Sequence, residues 1–157
     1  MKIKGIEPET KKEFVADAKG VNDEFIQSMS EFSLKPEDIK KTIDNLDISA
    51  DAKSTLYKFS KVTVKIGEFV VKVGRKILDF ICLLYKEYPN ASFGLIFGAI
   101  VGFLISTIPV LGFVLGAIVT PIAMVLGMVN GAQEDFKDKS LKRKVAEINA
   151  KFAPLAT

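Results

Sequence analysis

From Tyr88 to Gln133 the chain carries no charged side chain. That run is nearly twice the roughly 20 apolar residues a single helical membrane span needs. Near its middle stands Ser106-Thr107-Ile108-Pro109-Val110-Leu111-Gly112. Proline lacks the backbone N–H and clashes with the preceding turn, so Pro109 should end a helix there. Two arms result, about 92–108 and about 110–129, each reaching roughly 25 to 30 Å at about 1.5 Å per residue. Pro121 falls inside the second arm and predicts a kink.

The rest of the chain is polar. Mean hydropathy is +0.25 although 26% of the residues are charged, so apolar residues must be segregated. The first arm holds about ten Leu, Ile, Phe and Val residues, whose insertion into a bilayer is worth roughly 3 to 6 kcal/mol. One lysine in that arm would cost about 2.5 to 3.5 kcal/mol, and none is present. The reading that follows is an all-α fold in which amphipathic helices flank a hydrophobic two-helix transmembrane hairpin. The alternative is a hairpin wrapped as a core by those helices, whose apolar faces look too small to cover two fully apolar arms.

The flanks read as helices. Phe14, Ala18, Val21, Phe25, Met29 and Phe32 recur every three or four residues, which predicts a helix over about 9–32. Pro36 suits the first turn of a second helix to about Leu46, with Glu37 and Asp38 favouring its positive end. A long third helix is predicted over about 50–87. Phe59, Val62, Ile66, Phe69, Val70, Val73, Ile77 and Ile81 lie on one side and the basic residues on the other. A last amphipathic helix covers about 133–152. The organisation expected is an N-terminal helical region (1–48), a basic amphipathic helix (49–88), the hairpin (89–131) and a C-terminal amphipathic helix (132–157).

Basic residues flank the hairpin and are absent from its turn. Lys61, Lys65, Lys72, Arg75, Lys76 and Lys86 precede it, and Lys137, Lys139, Lys142, Arg143 and Lys144 follow it. The positive-inside rule then places both termini in the cytoplasm, at an inner-type membrane, with these lysines toward anionic headgroups. The N-terminal run Met1-Lys2-Ile3-Lys4-Gly5-Ile6 has no apolar h-region, so no cleaved signal peptide is expected, and the chain could be made soluble and inserted later.

Gly94, Gly98 and Gly102 are spaced four apart, as are Gly112 and Gly116, and Gly127 and Gly131. Glycines on one helix face let two backbones approach closely, either between the arms or between subunits. The triple run resembles the glycine zippers of membrane proteins. The uncharged hairpin sheathed by amphipathic helices resembles pore-forming colicins. That resemblance implies self-association and permeabilisation of a bilayer.

Composition excludes several chemistries. Histidine is absent, which removes the commonest general base and metal ligand. The single cysteine, Cys82, can form no intrachain disulfide. No phosphate-binding glycine loop or paired catalytic carboxylates stand out, and Asp79, among basic residues, reads as a surface ion pair. The expected protein is not an enzyme and has no cofactor or metal. It is a membrane-inserting pore-forming effector, toxin or holin-like protein, with a lipid bilayer and further copies of itself as partners and no nucleic acid. The alternatives are a non-enzymatic membrane anchor or scaffold, and a helical assembly protein with hairpins buried between subunits.

Overall fold

The computed structural model describes residues 1–125 and 138–156. The fold is mixed rather than all-α. Its elements are β1 (Lys2–Ile6), β2 (Glu13–Asp17), α1 (Asp23–Met29), α2 (Pro36–Asp44) and α3 (Ala50–Ser60). There follow β3 (Val64–Ile66), β4 (Phe69–Val71), α4 (Val73–Glu87), α5 (Phe93–Phe97), α6 (Phe103–Thr107), α7 (Pro109–Val125) and α8 (Lys139–Lys151). A π turn, Gly98–Gly102, joins α5 to α6.

The strands form one antiparallel sheet in the order β2-β1-β3-β4. Two of the expected helices dissolve into it. The segment read as a helix over 9–32 supplies β2, and its helical part begins only at Asp23, where Asn22 caps the Phe25 amide at 2.9 Å. The long helix expected over 50–87 is two helices separated by a hairpin. Val62, Val64 and Ile66 are buried while Lys61, Thr63 and Lys65 are exposed. That is the period of two belonging to a strand. Gly67, at φ +58°, makes the turn to β4, a conformation that favours glycine.

The described part of the apolar segment supplies much of the interior of this fold. On α7, Val110, Leu111, Val114, Leu115, Ile118, Val119 and Ile122 are buried. They meet β1, α3 and α6. The sheet contributes Ile3, Val64, Ile66 and Val71 to the same core, and α3 and α4 contribute Leu56, Phe59, Ile77, Leu78 and Ile81. The apolar cover that helices alone could not provide therefore comes from the sheet. Phe59 and Phe97 rings lie 5.4 Å apart, and Phe14 of β2 lies 5.6 Å from Phe113 of α7. Gly5 lets β1 lie directly on α7, since a Cβ there would come within 2.6 Å of Val114 Cγ1.

No described helix is long and apolar enough to cross a membrane. The run from Phe93 to Thr107 spans about 22 Å at about 1.5 Å per residue, short of a hydrocarbon core about 30 Å thick. The transmembrane hairpin is thus corrected, and with it the membrane-embedded location with cytoplasmic termini and the pore-forming toxin that depended on it.

Candidate functional site

A cleft of about 600 Å³ opens between the β1–β2 turn, the end of α3 and strand β3. Among the described residues, Lys4, Lys11, Lys58, Lys61 and Lys65 line it with one carboxylate, Glu9; Ile6, Val62 and Ile118 are among its apolar lining. The whole chain has only three more basic than acidic residues. Positive charge is therefore concentrated here beyond what composition requires.

Local structure explains how each lysine arrives. Lys58 and Lys61 end α3, where cations interact favourably with the negative pole of the helix. Lys4 and Lys65 are direct partners across β1 and β3. Like charges directly opposite one another in an antiparallel pair oppose folding. Lys4 is relieved by Glu13, whose Oε1 lies 3.0 Å from its Nζ. Among the described residues Lys65 has no such partner. Lys11 stands in the β1–β2 turn at φ 60°, a left-handed conformation uncommon for a residue with a side chain. Its amide donates to Glu7 O at 2.9 Å, and the Glu7 amide donates to Lys12 O at 2.8 Å. The Glu7 carboxylate accepts from the Thr10 hydroxyl, and from the Thr10 and Glu9 amides at 2.7 and 3.1 Å. Those bonds, the Thr10 hydroxyl first, hold the Glu7 carboxyl below its ordinary range.

The cleft continues onto the outer face of the sheet. Val15, Lys4, Lys65 and Val70 form one row across β2, β1, β3 and β4. Val15 and Val70 are 53% and 60% exposed, and Ile6 at the cleft edge is 47% exposed. Apolar side chains thus flank the ammonium groups on an uncovered face.

Of the basic residues singled out from sequence, Lys61 and Lys65 meet in this cleft. Lys72 precedes α4 and is exposed, as is Lys86 in its last turn. Arg75 lies over the Phe32 ring at 3.9 Å and Lys76 is buried. Lys139, Lys142 and Arg143 are exposed on α8, and Lys144 pairs with Glu87, which raises its pKa. Lys137, Gly127 and Gly131 lie outside the described residues. Lys4, Lys11 and Lys58 were not singled out. Of these only Lys4 has a sequence signal, the alternation Lys2-Ile3-Lys4, which fits a strand with a basic face.

The remaining positions belong to the apolar segment. Gly94 is buried in α5, and Gly98 and Gly102 bound the π turn. A Cβ at Gly112 would lie 2.7 Å from Ile105 O, so α6 and α7 approach closely at that point. Gly102 and Gly116 have nothing within 4 Å of such a Cβ. Ser106 and Thr107 donate to Gly102 O and Phe103 O at 2.7 and 2.8 Å, closing α6 on its own backbone. Pro109 opens α7, where its missing N–H leaves no bond unmade. No known protein family matches the sequence, and no curated protein or solved structure is significantly similar to it.

Proposed function

We propose that this chain is a non-enzymatic binding protein that docks reversibly on an anionic phospholipid surface through the lysine cleft and the outer face of its sheet. The apolar segment stays inside as the scaffold, and no helix enters the bilayer. The observation that carries this reading is the cleft itself, lined among the described residues by five lysines against one glutamate. Lys65 adds to it, because it faces Lys4 and has no carboxylate partner among the described residues, a place that a bound anion would fill. Exposed Ile6, Val15 and Val70 beside the ammonium groups suit the boundary between headgroups and acyl chains. Among the described residues no aromatic ring lines the cleft, whereas single-stranded nucleic acid is commonly held by stacking on such rings.

Each lysine near an anionic surface is worth about 1 kcal/mol. Cosedimentation with phosphatidylcholine vesicles, with and without phosphatidylserine, tests the reading. Binding is expected only with phosphatidylserine, weakening as salt rises, with an entrapped dye retained. Lys65→Gln should lower the partition coefficient about fivefold, the equivalent of about 1 kcal/mol. Equal binding to both vesicles, or preferential binding to single-stranded DNA over phosphatidylserine vesicles, sinks it. Dye release would point instead to a chain that opens on the membrane.

A further inference from the structure

Lys76 of α4 is 7% exposed. Among the described residues it makes no salt bridge. Asp79, one turn further along, has both oxygens engaged by the Ser33 and Leu34 amides. Lys76 Nζ donates instead to Glu31 O and lies 4.8 Å from the Phe80 ring centroid and 5.8 Å from that of Phe32. Arg75 covers the Phe32 ring at 3.9 Å, and Lys151 of α8 comes within 5.0 Å of the Phe80 ring. Three cations thus converge on two phenyl rings. A cleft of about 520 Å³ opens beside them, lined by Lys76 and Lys151, by the acidic residue Glu31, and by Ser28 and Ser33 among others.

Lysines are almost never buried without a partner. Desolvation beside a second cation is also the environment that turns a lysine into a nucleophile, because both disfavour the ammonium form. Burial is the main influence holding Lys76 below the usual lysine range. Asp79 opposes that shift, Lys151 adds to it, and Glu31 opposes it.

We propose that Lys76 is a reactive amine site for a small carbonyl compound that carries an anionic group, such as an aldehydo or α-keto carboxylate. The neutral amine adds to the carbonyl carbon through its lone pair. The carbinolamine then loses its oxygen as water, with both amine protons, and a carbon–nitrogen double bond remains. Neither oxidant nor reductant is consumed. Lys151 supplies the positive charge that faces the ligand's carboxylate, and Arg75 stands beside the site.

The test is site-resolved labelling of the intact protein with glyoxylate or with neutral acetaldehyde. Cyanoborohydride fixes any imine, and peptide mass spectrometry counts it at each lysine. At neutral pH Lys76 is expected to label several-fold faster than the exposed lysines. It is also expected to prefer glyoxylate over acetaldehyde, and Lys151→Gln should erase that preference. Lys76→Arg keeps the cation without a primary amine, and its circular dichroism and melting temperature report whether the fold survives. Label spread evenly over the exposed lysines overturns the proposal. So does a Lys76 that stays unmodified in the native protein and reacts only in urea, since its stem would then serve packing alone. Equal reactivity of the two aldehydes at Lys76 overturns the requirement for an anionic ligand.

Discussion

Asp79 Oδ1 lies 2.8 Å from the Leu34 amide nitrogen, across 45 residues of sequence, while Oδ2 takes the Ser33 amide at 3.1 Å. The carboxylate is fully buried. It satisfies two donors of the α1–α2 connection that would otherwise be unmade inside the protein. A hydrogen bond to a charged group contributes about 1.5 to 3 kcal/mol, and an orphaned buried donor adds its own desolvation cost. Asp79→Ala should therefore lower unfolding stability by about 3 kcal/mol or more. Asp79→Asn should cost less, because one acceptor oxygen remains. Urea unfolding of the two variants checks this, and an Asp79→Ala midpoint equal to wild type would show that the connection is held by other contacts.

Gly74 is the tightest point between α3 and α4. A Cβ there would sit 1.9 Å from Phe59 O, and the Gly74 amide donates to Val62 O at 3.1 Å. The obstacle is backbone, which cannot rotate away. Gly74→Ala is expected to be among the most damaging substitutions in the chain, costing about 4 kcal/mol or preventing folding. Gly116→Ala on α7 meets nothing within 4 Å. It should be neutral or stabilising by up to about 1 kcal/mol through helix propensity. Melting temperatures of the two variants should move in opposite directions or differ by many degrees.

At Gly5 the obstacle is a side chain. A Cβ would lie 2.6 Å from Val114 Cγ1 and 3.0 Å from Val110 Cγ2. Gly5→Ala should destabilise by about 1 to 3 kcal/mol, the usual range for overpacking. Val114→Ala should cost a comparable amount through the space it leaves. The double variant should be more stable than the sum of the two losses implies, with a coupling of about 1 kcal/mol. Strict additivity would mean that β1 and α7 do not meet at this pair.

The break at Pro109 and the second helix from Pro36 were legible because each has a local cause, whereas the end of α3 at Ser60 lay inside the single helix expected over 50–87. The sheet was not, because residues 62–71 fit two periods at once. Val62, Ile66, Phe69 and Val70 lie on one helical face, yet Val62, Val64 and Ile66 also alternate as a strand. Gly67 and the density of β-branched residues favour the strand, but neither outweighs a longer helical pattern without a partner strand to pair with. That partner is β1, some 60 residues away, inside a stretch that looks like a polar lead-in. Missing the sheet removed the cover for the apolar arms and left a bilayer as the apparent solvent for them. The cleft was half legible for the same reason. Lys61 and Lys65 stood out as one face of a helix that does not exist, while Lys4 joins them only through strand register. Asp79 looked like a surface ion because its partners are backbone amides that carry no sequence signature.

Cys82 is fully buried, and burial is the main influence that pushes its thiol up to about 11, from 9.0 for an unperturbed thiol. The Thr42 hydroxyl and Lys86 pull the other way, and Asp79 adds to the rise. A thiolate is the species that reacts with disulfide reagents, so the folded protein should resist Ellman's reagent at pH 8 and react only as fast as it opens. The sign of the pH effect follows from the raised value. The folded state holds the proton more tightly than the unfolded chain, so this contribution is complete below about pH 9. It is lost progressively as pH climbs toward about 11. Cys82→Ala removes the group while leaving a small apolar side chain. The alkaline decline in stability between about pH 9 and 11 should be shallower in that variant than in wild type, measured by urea unfolding at matched salt. Identical alkaline slopes would show that Cys82 ionises no later in the fold than outside it. Rapid reaction of the native thiol at pH 8 would say the same of its burial against α2.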